Sequence, residues 1–102
     1  MLLIRTKVEG PLEVSEDTAL HGIAIHHTTV VAPATLWLHG IANEGLEVGP
    51  GATAMVHGIV NGDVVNTGGR LEVYGIVNGE VRSLAGQTFI DPDAIVKVQH
   101  QA

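Results

Sequence analysis

The sequence predicts an all-β fold, a single-domain parallel β-solenoid (β-helix) of about five coils, with roughly 18 residues and three short strands in each coil. Three observations support this prediction. A short motif recurs at a near-constant step, apolar and polar residues alternate inside each repeat, and the composition favours small side chains. The chain of 102 residues is 45% hydrophobic and has 13 glycines but only 3% aromatic residues, which suits a narrow interior.

The recurring motif is a His-Gly-Ile triplet, which becomes Tyr-Gly-Ile in its last copy. The copies begin at His21, His39, His57 and Tyr74, so the step between them is nearly constant. The last three copies continue alike, with Ala-Asn or Val-Asn after the isoleucine. Because a fixed period of this length indicates stacked copies of one structural unit, we take residues 20–81 as the regular part of the solenoid.

Alternation inside the repeats predicts strands. In 54–65 and 71–82 every second residue is Val, Ala, Leu or Gly. A period of two is typical of strands with one buried face, and β-branched residues favour the pleated state. The repeated Gly and Asn would weaken a helix. We expect the glycines to occupy corners that need positive φ or a close approach of two backbones.

The N-terminal part of the chain follows the repeat only loosely. Residues 1–19 indicate a degenerate first coil or cap, because Gly-Pro-Leu-Glu-Val at 10–14 resembles Gly-Leu-Glu-Val at 45–48. Residues 23–37 lack the Asn-Gly corner of later repeats, so we expect this coil to be distorted. Pro33 should lie at a corner or a ladder edge, because proline has no N–H to donate.

The C-terminal part, residues 82–102, is expected to form the last coil and a C-terminal cap. Phe-Ile-Asp-Pro-Asp at 89–93 interrupts the pattern, and a final apolar strand follows at 94–98. Solenoids need atypical ends, because an open last coil would offer its edge to other strands.

The alternation also predicts which residues face outward. With Val60, Gly62 and Val64 inward, four outward columns run along the solenoid. The first column is Ala19, Trp37, Met55 and Glu72; the histidine column is His21, His39, His57 and Tyr74; the isoleucine column is Ile23, Ile41, Ile59 and Ile76; and the asparagine column is Ile25, Asn43, Asn61 and Asn78.

A solvated face would be charged, whereas three of these columns are mostly apolar or aromatic. Burying one exposed Ile contributes about 1.5–3 kcal/mol. We therefore hypothesise that Trp37, Met55 and the histidine and isoleucine columns form a lateral face that binds a second copy or another protein. The alternative is that the isoleucine column points inward and fills the core.

Charge and composition exclude several classes of partner. Eleven acidic and five basic residues give a formal charge of −6, so we expect no nucleic-acid partner. The first apolar run covers only 1–4, and the sequence nowhere reaches the roughly 18 apolar residues of a membrane span. The chain has no cysteine, which fits a reducing compartment. We expect a cytoplasmic protein that does not contact a membrane.

No motif in the sequence indicates catalysis. The two serines, Ser15 and Ser83, lie outside any Gly-x-Ser-x-Gly elbow, and the Asn-Gly corners lack the strand-then-helix context of a phosphate-binding loop. The histidine column is the one set of residues that suggests zinc. Side chains stacked along one sheet face point in parallel rather than converging, so we expect a ladder of stacked rings. We expect no catalytic residue, no cofactor and no metal.

The alternating glycines and valines over 58–81 resemble those of the bactofilins, bacterial polymer-forming cytoskeletal proteins, and the resemblance is best over 38–98. It implies a right-handed parallel β-helix and nucleotide-independent head-to-tail polymerisation into filaments that scaffold other proteins at the cell envelope. Polymerisation in this family uses apolar end coils. The matching positions, which we take as end-stacking residues, are Leu3, Ile4, Phe89, Ile90 and Ile95.

The sequence thus predicts a non-enzymatic scaffolding protein that associates with itself through its ends or its lateral face. Two alternatives belong to other classes. One is a protein-binding module that uses the lateral face, such as a toxin-neutralising immunity protein or a dimeric adaptor. The other is a hexapeptide-repeat enzyme, a transferase or carbonic anhydrase, since 18 is three times six.

Overall fold

The computed structural model describes residues 2–101, and the side chains of 2–97. Within this range the chain is all-β and winds into a parallel solenoid of about 6 turns. The strands are β1 (Leu2–Ile4), β2 (Lys7–Val8), β3 (Leu12–Val14), β4 (Thr18–Leu20), β5 (Ile23–Ala24), β6 (Thr28–Val30), β7 (Thr35–Leu38), β8 (Ile41–Asn43), β9 (Leu46–Val48), β10 (Thr53–Val56), β11 (Ile59–Asn61), β12 (Val64–Val73), β13 (Ile76–Ile90) and β14 (Ile95–Gln101).

The strands form three parallel ladders, and each coil contributes one rung to each ladder. The first ladder runs β1-β4-β7-β10-β12-β13 and the second runs β2-β5-β8-β11-β13-β14. The third ladder runs β3-β6-β9-β12-β13-β14. The long strands β12, β13 and β14 bend around corners and so belong to more than one ladder. The predicted parallel β-solenoid is confirmed, with one coil more than the expected five.

The N-terminal segment, predicted as a degenerate first coil or cap, folds as a full rung of each ladder. Leu2 pairs with Thr18, Lys7 with Ile23 and Leu12 with Thr28. The step from Leu2 to Thr18 is shorter than the next steps in the first ladder, which run from Thr18 to Leu36 and from Leu36 to Ala54. The first coil is therefore a shortened version of the regular repeat.

Small aliphatic side chains fill the interior. The largest fully buried side chains are leucines and valines, and the inward position of the first ladder holds Leu20, Leu38, Val56 and Val73, each at 0% exposure. Ile4 and Ile90 continue this inward column in the terminal coils and pack against the core. The low aromatic content therefore reflects the narrow interior, as predicted.

The expected distortion of 23–37 is wrong. Strands β5, β6 and β7 pair with both neighbours without a register shift. Pro33 lies in a corner turn, closed by the Ala34 N–H, which donates to the Val31 carbonyl at 3.0 Å. The irregular register occurs later, between Asn66 and Arg70 and between Val77 and Glu80.

The corner between the first and second ladders explains the Gly of the repeated triplet. At this corner the chain passes directly over the same corner of the preceding coil. A Cβ on Gly58 would lie 2.0 Å from the Gly40 carbonyl oxygen. The glycine is required because two backbones approach closely, which was one of the two expected reasons.

Candidate functional site: the lateral face and the end coils

The lateral face lies on the surface, as the alternation predicts. Ile23 is 39% exposed, and Ile41, Ile59 and Ile76 are half-buried and lie outside the core cluster. The neighbouring Ala24 is fully buried. The isoleucine column therefore does not fill the core, and the alternative assignment is wrong. Trp37 and Met55 pair in register and are also half-buried.

The predicted ladder of stacked rings is present in the histidine column. Ring centroids are 4.8 Å apart between His21 and His39, 5.1 Å between His39 and His57, and 4.9 Å between His57 and Tyr74, with interplanar angles of 17°, 10° and 8°. Near-parallel rings at this separation do not direct their nitrogens at one point. No group of three His, Cys, Asp or Glu side chains within 2–97 is arranged to hold a metal ion.

A polar cluster surrounds Tyr74, the last ring of the histidine column. The Tyr74 hydroxyl donates a hydrogen bond to Glu72 Oε1, and Arg70 Nε lies 2.9 Å from Glu72 Oε2. The hydrogen bond to Glu72 raises the pKa of Tyr74, desolvation and the charges of Glu72 and Asp91 raise it further, and the charge of Arg70 opposes them. The Phe89 ring lies 5.9 Å from the Tyr74 ring and is tilted by 53°.

The asparagine column forms an amide ladder that alternation alone did not predict. Asn61 Nδ2 donates to Asn43 Oδ1, and Asn78 Nδ2 donates to Asn61 Oδ1, both at 2.9 Å. Each amide thus bridges to the coil before it. These hydrogen bonds show that side chains in one outward column meet across adjacent rungs.

Sequence analysis missed Asn66, which is fully buried at a corner. Its Oδ1 accepts the N–H groups of Gly68 and Gly69, and its Nδ2 donates to the carbonyls of Gly69 and Gln87 and to Thr88 Oγ1. The signal was present as Asn-Thr-Gly-Gly at 66–69, a composition typical of turns. Asn66 therefore holds the corner inside β12 and ties it to β13 in the next coil.

The five predicted end-stacking residues fall into two groups. Ile4 and Ile90 occupy the inward column at the two ends. Leu3, Phe89 and Ile95 point sideways instead. Leu3 pairs with Ala19 and Phe89 with Glu72, which places both in the first column, and Ile95 pairs with Ile76 in the isoleucine column. They are 44%, 49% and 62% exposed.

Both ends of the described solenoid present open strand edges. At one end β1, β2 and β3 pair on one side only, and at the other end the last part of β13 and all of β14 do so. In a parallel ladder alternate backbone groups of an edge strand face away from its partner. Apolar side chains lie between these edges, namely Leu2, Ile4, Val8 and Leu12 at one end and Ile90, Ala94 and Val96 at the other.

No family model, no curated protein and no solved structure matches the chain. The part of the chain that the structure describes contains no helix long and apolar enough to cross a bilayer. The resemblance to the bactofilins therefore rests on the sequence pattern alone.

Proposed function

We propose that this protein is a non-enzymatic scaffold whose copies associate end to end through their terminal coils. The observation that carries the proposal is that both ends present unpaired parallel strand edges around apolar side chains, including Leu2 at 44% exposure. Such edges are templates for further strand pairing. This activity would parallel that implied by the resemblance to bactofilins. We place the scaffold in the cytoplasm, which fits a chain without cysteine.

The size of the ends sets the expected strength of the contact. The two shorter extents of the molecule, 24 and 21 Å, give a joint of about 400 Å² per copy, or about 800 Å² in total, which is small for a specific interface. A single joint is therefore weak, and assembly should depend steeply on protein concentration. Backbone hydrogen bonds across three ladders would give the joint its geometry.

A proline at the open edge tests this proposal. The Leu2 N–H donates to the Asp17 carbonyl at 2.8 Å, so the N–H of the next residue, Leu3, faces the open end. Leu3→Pro removes this donor without removing a hydrogen bond inside the copy, and edge strands tolerate proline. The matched control is the double variant I41K/I59K, which places two charges on the lateral face.

Sedimentation velocity over a concentration series, with electron microscopy of the same samples, separates the outcomes. We expect wild type and I41K/I59K to form elongating assemblies and L3P to remain a monomer with an unchanged β-rich circular dichroism spectrum. Assembly of L3P at wild-type concentrations would contradict the proposal.

A protein-binding module that uses the lateral face is the second candidate. It is favoured by the continuous outward-facing stripe of stacked rings and isoleucines, in which Ile23 is 39% exposed and the other three isoleucines are half-buried. The same experiment addresses it. If I41K/I59K loses self-association while keeping its β-rich spectrum and L3P does not, the lateral face is the interface.

A further inference from the structure

We infer that copies joined head to tail keep the register of their ladders, so that the first coil of one copy continues the last coil of the copy before it as a seventh rung. In this joint Asp91 faces Arg5 of the next copy and Lys97 faces Glu9 of the next copy. The inference rests on the proposed end-to-end association and adds its register and its contacts.

The register of the coils assigns each terminal residue to a column. In the first ladder Leu3 begins the first column and Phe89 ends it, while Ile4 begins the inward column and Ile90 ends it. The rung after Phe89 and Ile90 is therefore occupied by Leu3 and Ile4 of the next copy. In the second ladder the rung after Val96 is occupied in the same way by Val8 of the next copy. All three contacts are apolar.

The histidine column ends in opposite charges. In each coil the residue that follows the inward side chain donates its backbone N–H to the carbonyl of the inward residue in the preceding coil. The His21 N–H donates to the Ile4 carbonyl at 2.7 Å, the Tyr74 N–H to the Val56 carbonyl at 2.8 Å and the Asp91 N–H to the Val73 carbonyl at 2.8 Å. Asp91 thus takes the last place in this column. Arg5 follows Ile4 and takes the first place. Stacking would place the Asp91 carboxylate and the Arg5 guanidinium of the next copy on adjacent rungs, whose backbones are about 4.8 Å apart.

The asparagine column also ends in opposite charges. Glu9 follows Val8, which pairs with Ala24. Lys97 follows Val96, which pairs with Val77, and lies opposite Asn78 and Gly79, where the register between β13 and β14 shifts. The amide ladder shows that side chains at this position reach across one rung. Glu9 and Lys97 are exposed, as is Arg5, and none of the three makes an ion pair with the residues described in its own copy.

Among the described side chains, the first column and the isoleucine column contain no like-charge contact at this joint. Leu3 faces Phe89, and Lys7 faces Ile95. A joint between two identical ends would instead relate the copies by a two-fold axis, so that their strands run antiparallel. The ladders continue as parallel ladders only when opposite ends meet. The opposite charges at the ends of the histidine column fit that head-to-tail arrangement.

Cysteine cross-linking tests the register directly, because the chain has no cysteine of its own. Leu3→Cys and Phe89→Cys place thiols in one column about 4.8 Å apart, within the range that a disulfide spans. We expect covalent dimers when the two single variants are mixed and oxidised, and none from either variant alone. A control mixture of L3C with M55C should not cross-link, because Met55 lies in the same column two coils inside the end.

The outcomes separate this inference from the proposed function. If L3C alone or F89C alone forms covalent dimers, or if the mixture assembles without cross-linking, the register is wrong and end association stands. If L3C and F89C keep the wild-type fold but neither they nor wild type assembles by sedimentation, the proposed function fails and the inference fails with it.

Charge reversal provides a second, independent test. R5D and D91R each replace an attraction by a repulsion, and we expect the critical concentration for assembly to rise roughly three- to tenfold for each. The double variant R5D/D91R restores opposite charges and should return close to the wild-type concentration. A double variant that assembles no better than either single variant would overturn the inference. E9K, K97E and E9K/K97E repeat the test at the other pair.

Discussion

Replacement of Gly58 by alanine should be among the most destabilising single substitutions in the chain. A Cβ at this position would lie 2.0 Å from the Gly40 carbonyl oxygen and 2.9 Å from the His39 carbonyl carbon. An ordinary contact between these atoms requires more than about 3 Å, so two stacked backbones must separate by roughly 1 Å. Both neighbours are backbone atoms, and no side chain can rotate away to relieve the clash.

The cost follows from the hydrogen bonds that this separation breaks. The N–H groups of His57 and Gly58 both donate to the Leu38 carbonyl at 2.8 Å, and the Ile59 N–H donates to the Gly40 carbonyl at 3.0 Å. Each contributes about 0.5–1.5 kcal/mol net, so losing them costs about 2–4 kcal/mol. That is a large share of the stability of about 5–15 kcal/mol that a domain has.

Urea unfolding followed by circular dichroism, at concentrations below assembly, measures this loss. Gly10→Ala is the matched control, because Gly10 has a φ of 112° but no atom within 4 Å of an added Cβ. It should cost only the strain of positive φ, about 1–2 kcal/mol. A G58A protein within about 1 kcal/mol of wild type, or less affected than G10A, would refute the reasoning.

Three further substitutions test the interior and the end of the histidine column. Thr28→Val should stabilise the fold by about 1 kcal/mol, because the buried Thr28 Oγ1 has no partner among the described residues. Thr18→Val is the control and should destabilise the fold, because Thr18 Oγ1 donates to the Glu16 carbonyl at 2.8 Å. Asn66→Ala should cost about 2–4 kcal/mol in urea unfolding, since it leaves buried backbone groups without partners, and a cost below about 1 kcal/mol would contradict the role given to Asn66. Titration of the single tyrosine by ultraviolet absorbance should give a midpoint above 10, and Glu72→Gln should lower it. Because the folded pKa of Tyr74 is raised, the contribution of the Tyr74 hydroxyl to stability is complete below about pH 10 and is lost as the pH rises through the folded pKa. A wild-type midpoint at 10 would contradict the hydrogen bond to Glu72.

The regular coils could be predicted from the sequence because their spacing is nearly constant. The triplet that begins at His21 and recurs at His39 and His57 marks the same corner in successive coils. The first coil has Arg5 and Thr6 at this corner and is shorter than the coils that follow, so only the similarity of 10–14 to 45–48 indicated it, as a degenerate coil or cap. The last corner is lengthened by the turn from Asp91 to Ala94. The coil count was therefore one too low.

The lateral columns also follow from alternation, because each residue of a strand faces either the core or solvent. Contacts between columns depend on register and rotamer, which a single strand does not specify. For this reason the hydrogen bond between the Asn61 and Asn43 side-chain amides and the contacts of Asn66 could be found only from the structure. The resemblance to the bactofilins predicts Leu3 and Phe89 as end-stacking residues, whereas their pairing places them in an outward column.

The axial repeat of the assembled protein tests the central claim most directly. A solenoid of about 6 turns, with rungs about 4.8 Å apart, predicts a repeat of about 29 Å along a filament in which copies continue one another head to tail. Electron microscopy of filaments, with diffraction along their axis, measures this spacing. We expect a layer line at about 29 Å together with the rung spacing of about 4.8 Å. Particles that never elongate, or filaments whose subunits repeat at twice this distance, would contradict it.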